Sequence, residues 1–290
     1  MDEIEAVHTA ARRFCLGEIW RWGDRYSALK EAGGERVATA GKISWAYSDA
    51  AYQIFPRKLL AQALLDEVER IVPALAGSGK RLCARLTASA EAARAATQAT
   101  LRDPRAAAPI SAEAEEFQRW VASSGTLCWQ EVRPLAFHRT LDATEGRAAW
   151  ERAAVRWGLR GNCWFPLTEG EQPADVLVFH RELFGARAGA KLLVEALAER
   201  GIQQVLHLHA WGPANDYETA LSLLAMALGV AMEEYFTAGE ADWLVYASHE
   251  SSVAIGGEWL AARFKEAWPD WRGKTYLGPF STSDSRGCWR

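Results

Sequence analysis

Residues 241–271, ADWLVYASHESSVAIGGEWLAARFKEAWPDW, change periodicity part-way, and that change constrains the fold more than any other segment of the chain. Trp243, Val245, Ala247 and His249 alternate with Leu244, Tyr246, Ser248 and Glu250, so successive side chains fall on opposite faces of a strand rich in β-formers. Both faces are apolar, which predicts a central strand covered on both sides. Ser251 and Ser252 supply a turn, and residues 253–255 a return strand that stops at the Gly256-Gly257 breaker. From Glu258 the spacing becomes helical: Leu260, Phe264, Ala267 and Trp268 form an apolar stripe ended by Pro269.

Upstream, the second half of the chain continues in the same grammar. Residues 176–180 are a β-branched run, 188–200 a helix closed by Gly201, 204–211 a strand, and 217–228 a helix closed by Gly229. The first half reads as helices over 3–19, 58–72 and 80–101, with Gly33-Gly34 and Pro73 as breaks and an ambiguous aromatic stretch at 42–55. The two prolines of 103–111 mark the best linker candidate; Ser111, followed by Glu113, Glu115 and Glu116, reads as the N-cap of a further helix, and 144–157 as another ended by Gly158. The expected class is α+β, with a mainly helical region 1–158 and an α/β-like region 159–290. A mixed sheet of about four or five strands is covered by helices, and the linkers are short enough for one fused domain.

Composition excludes several functions. A net charge of -4 gives no basic footprint for a phosphate backbone, so nucleic acid is not an expected partner. No window approaches 18 uninterrupted apolar residues and the start is acidic and mixed, which predicts a cytoplasmic chain with no membrane partner. Cysteines 15, 83, 128, 163 and 288 are scattered with no C-x-x-C pair, against a disulfide framework or a cysteine zinc site. Fourteen tryptophans suit a core and, for a minority, a recognition surface.

Three constellations could carry chemistry. Gly161-Asn162-Cys163-Trp164 is a Gly-x-Cys-Trp tetrapeptide, and it resembles the nucleophile region of papain-like thiol proteases and transglutaminases. The resemblance implies Cys163 as nucleophile, with His207 or His209 as base and Asp216 or Glu250 as carboxylate. Pro166 departs from it, because a helix opened by Cys163 could not run through that position. His207 and His209 are two apart on a strand and share a face, so they could supply two metal ligands, with His180 and Glu182 as candidate partners on a neighbouring strand. His249, Glu250 and Ser251 sit at a hairpin tip, where their polarity suits recognition more than catalysis.

Gly77-Ser78-Gly79-Lys80 is not a phosphate loop: Ala74 takes the first glycine's place, Arg81 that of Ser or Thr, and a helix precedes it. Asp66, Glu67 and Glu69 read as a solvated helix face. No cofactor and no resident metal are expected, since no Cys or His spacing typical of a closed site is present. In general character the chain resembles bacterial immunity proteins and defence adaptors. The leading expectation is a non-catalytic protein that recognises another protein, with Trp211, His249, Glu250 and Ser251 as binding residues. A thiol hydrolase or transferase built on Cys163, and a metal-binding protein built on His207 and His209, are the alternatives.

Overall fold

The computed structural model describes residues 1–38, 45–124, 131–159, 164, 166, 174–184, 188–210, 215–230 and 233–276. The chain divides into two compact units, Met1–Leu135 and Ala136–Arg290. Together they make an α+β protein, as the change of periodicity predicts.

The first unit is built on helices α1 (Glu3–Glu31), α2 (Asp49–Glu69), α3 (Gly79–Thr100) and α4 (Ala107–Ser123), with a small hairpin of β1 (Arg36–Ala38) and β2 (Trp45–Tyr47). Val7, Ala11 and Cys15 of α1 meet Leu60, Leu64 and Val68 of α2, Leu82 and Leu86 of α3, and Ile110, Phe117 and Val121 of α4 in one buried core. Side-chain caps start these helices: Asp2 closes a capping box on α1, while Ser48 and Ser78 accept from the backbone N–H groups of Ala51 and Arg81. The glycine-flanked Ser78 is therefore a helix start and not part of a phosphate loop.

Two readings of this half change. The expected linker 103–111 is mostly helical, because a turn at Pro104–Ala106 feeds straight into α4 and leaves Ser111 inside the helix. Pro109 is tolerated there because the first turn of a helix has no partner for its N–H groups. Glu69 is buried and not solvated; its Oε1 accepts from Arg12 Nε at 2.9 Å.

The second unit holds β3 (His138–Thr140), α5 (Ala143–Trp157), β4 (Val176–His180), α6 (Ala188–Glu199), β5 (Gln204–His209), β6 (Tyr217–Ala220), α7 (Leu224–Val230), β7 (Glu234–Thr237), β8 (Leu244–Ala247), β9 (Ser252–Gly256) and α8 (Glu258–Ala267). Helix α5, which the sequence reading placed before its boundary at 158, thus lies in this unit. The predicted β8, β9 and α8 form where the alternation places them. The sheet has seven strands in the order β3-β6-β5-β7-β8-β9-β4, not four or five, and every adjacent pair is antiparallel.

The mixed sheet expected from strand–helix–strand order fails for a topological reason. β6 and β7 run the same way and are joined through α7, but β5 lies between them; β4 and β5 run the same way and are joined through α6, but three strands separate them. Each crossover therefore skips antiparallel neighbours. The added strands are short: Tyr217–Ala220, which the sequence predicts as the start of a helix, pairs with β5 before α7 begins at Leu224.

Both sheet faces are covered. Val205, Phe236, Val245, Val253 and Ile255 face α6, α7 and α8, with Trp243 and Phe264 fully buried among them. Leu208, Tyr235, Leu244, Tyr246 and Ala254 face the α5 side, where Ala149 and Ala153 are buried. At the β4 edge the chain returns after α8: Thr275 bridges Phe179, and Tyr276 N–H donates to Val178 O at 2.8 Å.

Candidate metal centre

Alternation along β5 places Val205, His207 and His209 on the α6–α8 face. Val205 sinks into the core, while the two imidazoles lie further along the strand, with ring centroids 4.3 Å apart. In register on β7, Phe236 lies opposite His207 and stacks on it at 4.4 Å, and Glu234 lies opposite His209. Glu234 shares this face with Phe236, two residues on, so its carboxylate meets both rings. His207 Nε2 is 2.7 Å from Glu234 Oε2, and His209 Nε2 is 3.7 Å from Glu234 Oε1. One ligand atom from each residue falls within 4.8 Å of the others.

The surroundings hold the backbone that carries the rings. His209 N–H donates to Asp216 Oδ1 at 2.9 Å, and Trp150 Nε1–H donates to Asp216 Oδ2 at 3.0 Å. Burial raises the Asp216 carboxyl above its ordinary range, and those two bonds oppose the rise. Burial, followed by the neighbouring His207, pushes His209 down to about 4; the Glu234 charge and a hydrogen bond to the Asn215 backbone act the other way. The imidazole of His209 is thus neutral at physiological pH, the form a metal requires. Tyr217 on β6 flanks the pair, with centroids 6.2 Å from His207 and 5.6 Å from His209, and His138 of β3 lies 4.6 Å from Tyr217.

His180 and Glu182 do not join this cluster. β4 is separated from β5 by three strands, so the candidate third ligand comes from β7. Cys163 and Trp211 lie outside the described residues, whereas Trp164 is buried and meets Trp157 edge to face at 5.7 Å.

His249, Glu250 and Ser251 form the exposed tip between β8 and β9. His249 turns to Glu233, not Glu250: its backbone N–H donates to Glu233 Oε1 at 2.9 Å and its Nδ1 bonds the same oxygen. Tyr246 OH donates to Glu233 Oε2, and burial then this bond raise the Tyr246 hydroxyl well above its ordinary value. Glu250 N–H donates to Ser248 Oγ, and Ser251 adopts φ 63° at the turn while its carbonyl accepts from Arg181.

Glu233 and Glu234 escape a reading of the sequence alone. The signal was the run Glu-Tyr-Phe-Thr at 234–237, a short β-former segment that, taken as a strand beside β5, puts a carboxylate opposite His209.

No protein-family model matches the chain, and comparisons with curated proteins and with solved structures find no match either. The geometry of the site carries the functional reading by itself. Among the described residues, no helix is long and apolar enough to cross a membrane.

Proposed function

We propose that the second unit is a metal-binding module that takes one first-row divalent transition-metal ion through His207 Nε2, His209 Nε2 and a carboxylate oxygen of Glu234. The observation that carries this reading is the approach of three ligand atoms of suitable type within 4.8 Å. Two imidazoles and one carboxylate are a donor set for zinc, iron, cobalt or nickel rather than for calcium or magnesium, which favour oxygen. Asp216, through its bond to the His209 backbone, and Phe236, through its stack on His207, supply the outer support that orients metal ligands. This reading departs from the expectation of a metal-free chain: the candidate third ligand is Glu234 of β7 and not His180 or Glu182.

For the protein-recognition reading, the hairpin tip ties His249 to Glu233, and Trp211 lies outside the described residues. The test is titration of the chelator-treated full chain with Zn(II) by calorimetry, together with elemental analysis. One ion per chain is expected for the wild type, with affinity lowered about 10-fold or more in His209→Ala and in Glu234→Gln. Failure of the wild type to take up zinc, cobalt or iron, or equal uptake by both variants, overturns the proposal.

A further inference from the structure

Resting on that metal reading, we infer that the centre is open: the ion bound by His207, His209 and Glu234 keeps a coordination position for a small anion with an oxygen donor, such as a carboxylate or hydroxamate. A closed structural site surrounds its ion with four protein ligands, whereas a site that acts on substrates keeps three and leaves a position to solvent. Here three ligand atoms converge among the described residues, and no fourth His, Cys, Asp or Glu comes within the same reach.

The neighbours explain why. Phe236, stacked on His207, closes one side with an apolar ring. Asp216 has one oxygen on the His209 backbone N–H and the other on Trp150. His138 lies against Tyr217, with ring centroids 4.6 Å apart, and is not among the three residues whose ligand atoms converge.

Solvent still reaches the ligands. The side chains of His207, Glu234 and His209 are 13%, 17% and 18% exposed, so the cluster is neither sealed in the core nor spread on the surface. Neutral imidazoles and one carboxylate leave a divalent ion with a formal charge of about +1, which favours an anionic oxygen donor over a cation or an apolar guest. A carbonyl oxygen held at such a position would be polarised by the ion, the Lewis-acid role of open metal sites.

The experiment uses the full chain loaded with Co(II), whose visible spectrum reports its ligands, titrated with acetohydroxamate. A saturable change in the cobalt bands at one hydroxamate per ion is expected. His138→Ala is expected to leave the starting spectrum unaltered. Stoichiometric cobalt with bands that hydroxamate does not move overturns the open position and leaves the metal reading standing. A starting spectrum altered by His138→Ala also overturns it, by making His138 a fourth ligand. No cobalt uptake at all sinks the metal reading itself, and this inference with it.

Discussion

Glu233 and Glu234 are consecutive in the chain yet serve opposite sides of one sheet. Glu233, in a left-handed conformation at φ 59°, is buried beneath Tyr246, Ser248 and His249, while Glu234 begins β7 and turns to His207 and His209. The two substitutions to glutamine should therefore separate. Glu233→Gln puts an amide N–H₂ among donors and is expected to cost roughly 1–3 kcal/mol of stability. Glu234→Gln should lower metal affinity with a smaller loss of stability. Urea denaturation of metal-free protein and zinc titration, run on both variants, check the pair.

A second pair of carboxyls sits in the helical unit. Burial, followed by the hydrogen bond and charge of Glu113 on α4, raises Glu18 of α1 to about 7 from its ordinary 4.5, against the pull of Arg21 and Trp22. Because the folded state holds this proton more tightly, its contribution to stability is full below about 4.5 and is lost as pH rises through about 7. Melting temperature of the wild type should fall across that window relative to Glu18→Gln, which cannot ionise. Parallel pH profiles for the two proteins would show that no shared proton is present.

Trp243 and Phe264 are fully buried on the α6–α8 side. Trp243→Ala and Phe264→Ala should each destabilise the fold by roughly 3–5 kcal/mol, measured by chemical denaturation. The Trp243 indole N–H is buried with no hydrogen-bond partner among the described residues, so Trp243→Phe should cost much less than Trp243→Ala. Losses below about 1 kcal/mol for both alanine variants would contradict the packing described.

Gly256 of β9 lies under the Trp157 ring of α5, and a Cβ there would come within 2.6 Å of Cζ3. The ring cannot easily withdraw, because its Nε1–H donates to Ala241 O at 2.9 Å. Gly256→Ala should destabilise by roughly 1–3 kcal/mol, and Trp157→Leu should relieve part of that loss in the double variant. Thermal melts of the two single variants and the double variant measure the coupling.

The elements legible in the sequence were those with a sustained period. β8, β9 and α8 follow from the alternation around Trp243–Ala247 and the stripe Leu260–Phe264, and α5 from the amphipathic run closed by Gly158, which takes φ 65°. What stayed hidden depended on pairing over distance. β3, β6 and β7 have three or four residues each, too few to establish a period; β6 and β7 pair with the edges of β5 and β8, and β3 pairs with β6 in turn. The candidate site divides in the same way. His207 and His209 could be placed on one face from their spacing, but Glu234 lies 25 positions beyond His209 and reaches them through strand register, which no local pattern encodes. The partner of His249 is hidden in the same way: strand alternation already separates it from Glu250, but Glu233, 16 positions back, is reached only through the fold.

The return of the chain along β4 bears on how molecules of this protein meet one another. An unpaired outer strand offers backbone donors and acceptors to any similar strand, and β4, with the apolar run Val-Leu-Val-Phe, would be an inviting template. Thr275 and Tyr276 occupy part of that template with the protein's own backbone. These two residues thus guard β4 against strand-to-strand pairing, and Trp268, Trp271 and Tyr276 also pack against the unit's two cores. A chain ended at Lys274 should fold and still tend towards dimers and larger aggregates as its concentration rises.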